Sequence, residues 1–172
     1  MNTHPISWAV FLSYFPTIEL PVTLNEETLD VFSRENKVLP AAAISHFILQ
    51  WEGNHDDGMT EYIPCFALPA AEEFTGLVYW KGGIAKYEFI LVTIGKDGRL
   101  ISRKSLASTQ FNSKSIRKSV AMIDEDLIVH IMAGALSDDK DYEASSSRAF
   151  CMEILSSGDV LFTMDEAGYS EN

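Results

Sequence analysis

The chain has 172 residues, of which 47% are hydrophobic and 22% charged, and its formal net charge is −12 at pH 7. A chain of this length buries roughly 70% of its unfolded surface on folding, so a stable fold requires neither a disulfide nor a structural metal. The negative charge repels phosphate backbones and anionic lipids, which argues against nucleic-acid and membrane partners.

The N-terminal part begins with an apolar run from Ile6 to Phe15. This run is too short to span a bilayer, and it lacks the positive region and the small-residue cleavage site of a signal peptide. We therefore expect a cytoplasmic protein, with an exported mature form as the alternative. Cys65 and Cys151 both lie in apolar runs, which predicts buried thiols, although export would allow one disulfide.

Two helices are predicted before residue 58. The stretch Thr23-Leu-Asn-Glu26 has the spacing of a capping box, with Asn25 as a competing cap, and it leads into a helix over 26–36. A second helix is predicted over 40–51. Pro40 suits its first turn and Gly53 its end. Its apolar face has helical spacing and consists of Ile44, Phe47, Ile48 and Trp51.

From about residue 59 onward, short apolar runs alternate with turns, which predicts strands. The predicted strands are Tyr62–Leu68, Gly76–Lys81, Tyr87–Ile94, Arg99–Leu106, Ile116–Ile123, Leu127–Ala133, Ala149–Leu155 and Val160–Met164. Four junctions carry the residues of tight turns: Lys81-Gly-Gly83, Lys96-Asp-Gly98, Asp124-Glu-Asp126 and Ser156-Ser-Gly-Asp159. Polar stretches at 107–115 and 137–148 are predicted to be long loops.

These elements predict an α+β fold, mainly β. We expect an antiparallel meander sheet, bent or partly closed like a barrel, with about two N-terminal helices packed on it. Residues 1–172 would form a single domain with a helical part over 1–58, a β-meander over 59–164 and a frayed tail over 165–172. The run Phe89–Val92 is apolar on both faces, which is typical of a central strand, and helix 40–51 is the expected cover for one face.

Charge is segregated along the chain. Residues 1–80 carry 11 acidic and 2 basic residues, residues 81–118 carry 2 acidic and 9 basic residues, and residues 119–172 carry 12 acidic and 2 basic residues. One interpretation is that oppositely charged neighbours in the sheet neutralise the basic strands. The other is a basic contact surface, whose candidate partner-binding residues are Arg99, Arg103, Lys104, Arg117 and Lys118.

Sequence motifs of common enzymes are missing, including GxSxG, HExxH, CxxC, the phosphate-binding loop and GxGxxG. We therefore assign no catalytic residue and no cofactor. His130 lies within a predicted strand, and a structural, hydrogen-bonded histidine is the favoured interpretation. A general base with a distant carboxylate is the alternative, and Cys151 as a nucleophile beside His130 is unconstrained, because spatial neighbours cannot be read from the chain alone.

Two acidic clusters were considered as metal sites. The first consists of Glu52, Asn54, His55, Asp56 and Asp57, and the second of Asp138, Asp139, Asp141 and Glu143. The first does not follow the ligand order of an EF-hand, and we interpret both as solvated loops. No metal site is predicted.

Three functional hypotheses remain. The first is a non-enzymatic binding or protein-interaction module that uses the basic strand surface (81–118) and the polar loops. The second is a small-ligand-binding protein or enzyme with a pocket between helix 40–51 and the sheet. The candidate ligand-binding residues of that pocket are Trp51, Trp80, Tyr87 and His130. The third hypothesis is self-association through an open sheet edge. The sequence does not identify the protein partner of the first hypothesis or the small molecule of the second.

Overall fold

The computed structural model describes residues 5–53, 57–137 and 147–165. Its helices are α1 (Trp8–Leu12), α2 (Glu26–Glu35) and a continuous helical segment of α3 (Ala41–Ala43), a π-helical turn (Ile44–Ile48) and α4 (Leu49–Trp51). Its strands are β1 (Val22–Leu24), β2 (Glu61–Ala67), β3 (Phe74–Gly82), β4 (Lys86–Gly95), β5 (Leu100–Phe111), β6 (Ser115–Ile123), β7 (Ile128–Ser137), β8 (Arg148–Ile154) and β9 (Val160–Asp165).

Strands β2 to β9 follow one another in chain order in a single antiparallel sheet, and β1 pairs with β6. This arrangement confirms the predicted α+β fold, mainly β, with a meander topology. The eight predicted strands correspond to β2–β9. Among the described strands β2 and β9 do not pair, so the sheet remains open.

The sheet bends where β5 passes into β6. These two strands pair only through Thr109–Phe111 of β5, and further along β6 its edge is taken by β1. The bend separates a first half (β2–β5) from a second half (β1 and β6–β9). One apolar core joins their inner faces, with Phe66 and Leu91 from the first half and Val129 and Ile154 from the second.

A second core lies on the outer face of the first half. Ile90 and Val92 of β4 are fully buried there beneath Phe11 of α1 and Ile48 of the π-helical turn. Leu91, between them, faces the inner core. Strand β4 is therefore covered on both faces, and helix 40–51 covers one of them, as the continuous apolar run predicted.

The apolar run at the N-terminus forms α1, a helix that was not predicted. Ser7 caps it by accepting a hydrogen bond from the Val10 amide. Phe11 is fully buried and its ring lies 4.4 Å from the ring of Phe47, between centroids. The run thus joins the second core. None of the described helices has the length and apolarity needed to cross a lipid bilayer.

Helix α2 is capped by Asn25, the second of the two cap residues that the sequence offered. Asn25 and Thr28 exchange side-chain and backbone hydrogen bonds of 3.0 Å in a capping box, while Thr23 lies in β1. At the other end, the Asn36 side-chain amide donates to the carbonyls of Pro64 and Cys65, at 2.7 and 2.8 Å. These carbonyls belong to edge strand β2 at its irregular point, so α2 protects that edge.

All four predicted hairpin turns are confirmed. Gly98 and Gly158 have φ angles of 84° and 92°, which glycine adopts without strain. In the turn without glycine, Leu127 has a φ of 61°. The Asp124 carboxylate supports that turn by accepting hydrogen bonds from the amides of Asp126 and Ile128.

The prediction of a long loop at 107–115 was wrong. Strand β5 continues to Phe111 and β6 begins at Ser115, so the turn is short. Asn112 supports it by accepting hydrogen bonds from the amides of Lys114 and Ser115. The polar residues of this stretch lie in exposed strands, where composition alone does not distinguish strand from loop. Most of the predicted loop at 137–148, and the tail beyond residue 165, lie outside the described residues.

Candidate functional site

A groove of about 530 Å³ opens beside the bend, between β5 and the inner face of β6–β8. Small residues of β7, Ala133, Gly134 and Ala135, form part of its floor. Leu106, Ile131 and Phe150 line its deeper, apolar part. The groove exists because β5 and β6 separate after a short paired segment, and because β7 carries no large side chains at this point.

Two arginines lie on either side of the small-residue floor. Arg117 of β6 pairs with Ala135, and Arg148 of β8 pairs with Ala133. Ala133 and Ala135 are two residues apart, so both arginines project on the same face of the sheet. Their strands flank β7 and are therefore about 10 Å apart. Both side chains are exposed, and neither forms an ion pair with any residue in the described part of the chain.

The opposite side of the groove is polar. Ser105, Ser108 and Gln110 of β5 line it together with Ser119 of β6. Ser119 accepts a hydrogen bond of 2.8 Å from the Ser108 amide, and the two hydroxyls are 3.4 Å apart. The groove therefore combines two guanidinium groups with hydroxyl and amide groups, which is the chemistry that binds carboxylate or phosphate oxygens.

Arg103, which was predicted to contact a partner, forms an ion pair with Glu52 of the protein itself. Glu52, directly after α4, has a side chain that is only 3% exposed. It accepts hydrogen bonds from the Tyr79 hydroxyl (2.6 Å), from the Lys81 ammonium (2.6 Å) and from two nitrogens of Arg103 (2.7–3.0 Å). This Glu52 cluster joins the end of the helical segment to β3 and β5.

The Glu52 cluster keeps its carboxylate ionised. Burial alone would raise the pKa of Glu52, but the hydrogen bonds from Lys81, Tyr79 and Arg103 outweigh burial and hold that pKa below its usual value. Glu88 lies 3.8 Å from Arg103 and forms a further ion pair of 2.9 Å with Lys86. The basic side chains on this face are thus neutralised within the fold, as one of the two sequence interpretations expects.

The other predicted partner-binding residues are dispersed. Lys118 lines the groove but also forms a 2.9 Å ion pair with Glu26. Arg99 lies in the exposed β4–β5 turn, 3.8 Å from Asp97. Lys104 alternates with Arg103 along β5 and so faces the opposite side of the sheet.

Only two of these five residues, Arg117 and Lys118, therefore line the groove. Sequence reasoning missed Arg148, because it lies outside the basic segment and reaches the groove only through the pairing of β8 with β7. Its one signal in the sequence is a basic residue at the end of a polar, acidic stretch, directly before the predicted strand Ala149–Leu155.

The four predicted ligand-binding residues do not share a pocket. Trp51 stacks with Tyr79 at 6.2 Å on the helix-covered face of the first half. Trp80 contacts Tyr87 at 5.5 Å on the opposite face, where both line a cavity of about 50 Å³ beside the start of α2. His130 belongs to the second half. Apolar side chains pack between the helices and the outer face of β3 and β4, chiefly Phe11, Ala43, Ile48, Leu49, Leu77 and Ile90. A groove of about 440 Å³ lies beside Ile44 at the β2 edge, and none of the four predicted residues lines it.

The imidazole of His130 lies beside a carboxylate and a thiol. Its Nε2 is 2.8 Å from Oδ2 of Asp124, and its Nδ1 is 3.5 Å from Sγ of Cys151. The sequence left open both a carboxylate partner and Cys151 as a neighbour. Strand pairing places them together, since His130 and Cys151 are directly opposite each other on β7 and β8.

The considered metal ligands have other roles where the structure describes them. Glu52 is enclosed in its cluster, and Asp57 accepts hydrogen bonds from the amides of Met59 and Thr60. Residues 54–56 and the second acidic cluster at 138–143 lie outside the described residues. In the described ranges, no group of three or more histidine, cysteine, aspartate or glutamate side chains is arranged to hold a metal ion.

No protein-family model matches this chain, and no curated protein or solved structure is significantly similar to it. Function is therefore inferred from the chemistry of the described residues. The groove offers two arginines with no acidic partner among them, whereas the basic residues of the Glu52 cluster are already paired.

Proposed function

We propose that this protein is a non-enzymatic binding module whose groove beside the β5–β6 bend receives an acidic segment of a protein partner. The observation that carries the proposal is the pair of exposed arginines, Arg117 and Arg148, on the same face of a small-residue floor. Guanidinium groups bind carboxylates through charge-assisted and often bidentate hydrogen bonds.

The form of the groove favours an extended polypeptide. Residues 100–107 of β5 pair with β4 on one side and with no described strand on the other. An extended segment can add to such an edge through backbone hydrogen bonds, while its side chains reach the arginines. The volume of about 530 Å³ lies within the usual range for binding sites, and the apolar residues at its base could accommodate one non-polar side chain.

The net charge of −12 does not prevent such binding at physiological salt. The screening length there is about 8 Å, so most acidic groups elsewhere on the surface have little effect on a ligand in the groove. Binding through the two arginines should weaken as salt is added, because both side chains are exposed.

The test uses an oligoglutamate peptide and a matched oligoglutamine peptide, titrated by calorimetry against the full chain at about 0.15 M salt. We expect the acidic peptide to bind and the neutral peptide not to bind. The double variant Arg117→Glu with Arg148→Glu should bind the acidic peptide at least about tenfold more weakly, since each lost charged hydrogen bond contributes about 1.5–3 kcal/mol.

The matched control is the double variant Arg34→Glu with Arg99→Glu, which makes the same charge change at two exposed arginines outside the groove. Equal weakening by this control variant would show that only net charge matters and would contradict the proposal. Absence of binding to wild type would contradict it as well. Light scattering on the same samples distinguishes partner binding from self-association.

We also propose a cytoplasmic location. The support is that neither Cys65 nor Cys151 forms a disulfide in the described structure, and a reducing compartment keeps thiols in this state. The test takes protein directly from cells, unfolds it rapidly and labels its thiols with an alkylating reagent. We expect both cysteines to be labelled. Recovery of a disulfide would instead favour the exported form.

A further inference from the structure

Three neighbouring polar side chains lie on the outer face of the second half, away from the proposed groove. Val129, Ile131 and Met152 face the inner core, so the residues that alternate with them, His130 and Cys151, face outward. His130 and Cys151 are directly paired on β7 and β8. Asp124 directly follows β6 and begins the turn that leads into β7.

Asp124 is held in place by backbone hydrogen bonds. Its Oδ1 accepts from the amides of Asp126 (2.9 Å) and Ile128 (3.0 Å), which leaves Oδ2 directed at Nε2 of His130. Burial alone would raise the pKa of Asp124, but the hydrogen bonds from His130, Ile128 and Asp126 outweigh burial and hold that pKa below its usual value. The carboxylate is therefore ionised at neutral pH.

An ionised carboxylate at Nε2 fixes the state of the imidazole ring. Nε2 must carry the hydrogen that it donates to Asp124, so in the neutral ring Nδ1 has a free lone pair. Nδ1 lies 3.5 Å from Sγ of Cys151, where it can accept the thiol proton. The resulting imidazolium is stabilised by Asp124, which is the logic of a nucleophile, a base and an orienting carboxylate.

The three side chains do not form a metal site. His130 uses its two nitrogens in different directions, one toward the carboxylate and one toward the thiol. Their donor atoms therefore do not converge on one point, as zinc coordination requires. The arrangement is suited to moving a proton between sulfur and imidazole.

A further charged residue lies near this pair. Glu153 follows Cys151 on the same face of β8. On the neighbouring strands, Met122 of β6 pairs with His130 and Met164 of β9 pairs with Cys151, while the Thr163 hydroxyl donates to the Cys151 carbonyl. These three residues are uncharged.

We propose that Cys151 is a site of reversible oxidation by small hydroperoxides. Cys151 is only 9% exposed, which favours a compact reagent over a bulky substrate. His130 takes the thiol proton, and the thiolate attacks one peroxide oxygen. The S–O bond forms as the O–O bond breaks, and the leaving oxygen takes the proton from the His130 imidazolium. The products are a cysteine sulfenic acid and water or an alcohol, so sulfur is oxidised and the peroxide is reduced.

The chain contains its own control. Cys65 is fully buried, and its thiol donates to the Ile63 carbonyl and not to an imidazole. Burial raises the pKa of the Cys65 thiol far above its usual value. Because thiolates, and not thiols, react with peroxides, Cys65 should remain reduced while Cys151 is oxidised.

The experiment exposes the full chain to hydrogen peroxide for increasing times and quenches the reaction. The protein is then unfolded, remaining thiols are alkylated, and mass spectrometry measures each cysteine separately. This order removes any need for a bulky probe to reach Cys151 in the folded state. We expect loss of the free thiol at Cys151 to be at least about tenfold faster than at Cys65, and a reductant to restore it.

Two variants test the roles of the neighbours, and circular dichroism and the melting temperature verify that each is folded. His130→Gln should slow oxidation of Cys151 by about tenfold or more at neutral pH. Its rate should then rise with pH up to an ordinary thiol value of about 8.5, whereas the wild-type rate should depend less on pH, because His130 accepts the thiol proton. Asp124→Asn, which alters a positioning residue, should move the wild-type profile toward that of His130→Gln.

The proposal is overturned if Cys151 and Cys65 are oxidised at the same rate in the folded protein. It is equally overturned if His130→Gln leaves both the rate and its pH profile unchanged. Neither result depends on the peptide titrations, because Arg117 and Arg148 lie on the inner face and are unchanged in these variants.

Discussion

The two halves of the sheet are built from the same meander but differ in what covers their outer faces. In the first half, α1 and the helical segment 41–51 cover the outer face, and Ile90 is fully buried there. In the second half, Met132 on the outer face is 63% exposed and Val120 is 37% exposed. Strand β4 accordingly has two buried faces, whereas β6 and β7 each have one.

The two halves also differ in whether their charged side chains are paired within the protein. In the first half, the charged groups near the end of the helical segment satisfy one another around Glu52. In the second half and at the bend, Arg117 and Arg148 have no acidic partner among the described residues, and His130 is 39% exposed at its side chain. Covering a sheet face requires its polar groups to be paired. The uncovered outer face of the second half leaves His130 partly exposed, and the separation of β5 from β6 leaves Arg117 and Arg148 exposed in the groove.

The largest expected effect compares the two outer faces directly. Ile90→Ala should lower the free energy of unfolding by about 3 kcal/mol, because it leaves a cavity beneath the helices. Met132→Ala should lower it by less than about 1 kcal/mol, because that side chain is mostly in solvent. Urea unfolding of both variants measures the contrast. Similar losses would show that the outer face of the second half is covered as well.

The second prediction concerns the Glu52 cluster. Glu52→Gln should lower the free energy of unfolding by about 2 kcal/mol, since Arg103 and Lys81 lose a buried anionic partner while part of each remains solvated. The matched control is Glu26→Gln, which removes the exposed partner of Lys118 and should cost less than about 1 kcal/mol. Equal effects would mean that the cluster is no stronger than a surface ion pair.

The third prediction follows from the lowered pKa of Glu52 in the folded protein. A carboxylate with a depressed folded pKa stabilises the fold above its unfolded pKa of about 4.5, and this contribution is lost as the pH falls through the folded pKa. The stability difference between wild type and Glu52→Gln should therefore be full near neutral pH and should narrow below about pH 4.5. Urea titrations across this range measure it, and a gap that is constant with pH would contradict the assigned ionisation.

The smallest expected effect lies in the second half. Asp124→Asn should lower the free energy of unfolding by about 1 kcal/mol, because an amide oxygen can keep only some of the hydrogen bonds that the carboxylate accepts from His130 and the turn. Urea unfolding checks this value. A loss as large as that of Glu52→Gln would show that the β6–β7 turn is as important to stability as the buried cluster.

Much of the fold was predictable from local patterns. The continuous apolar run of β4 predicted a strand covered on both faces, and glycines at 98 and 158 predicted the two turns in which they adopt positive φ angles. Apolar spacing predicted the helix that ends at Trp51. These features depend on residues close together in the chain, so the sequence displays them directly.

The candidate sites were less predictable, because they depend on contacts between distant strands. Glu52 looked like a ligand in a polar loop, but the register of β3 and β5 places Tyr79, Lys81 and Arg103 around it. Arg148 was missed, since only the pairing of β8 with β7 brings it to the groove. The strand at 107–111 was mistaken for a loop because its polar residues lie on an exposed part of β5.

The sequence by itself determined which segments become strands and helices and which of them must be buried, because hydrophobic periodicity and turn residues act over a few positions. Only the tertiary structure decided which charges neutralise one another and which remain available. The bend after β5 and the register of β6, β7 and β8 bring Arg117 to the same groove as Arg148, and His130 against Cys151. Electrostatic and proton-transfer interactions act over a few ångströms in space, and that distance is set by strand pairing and not by separation along the chain.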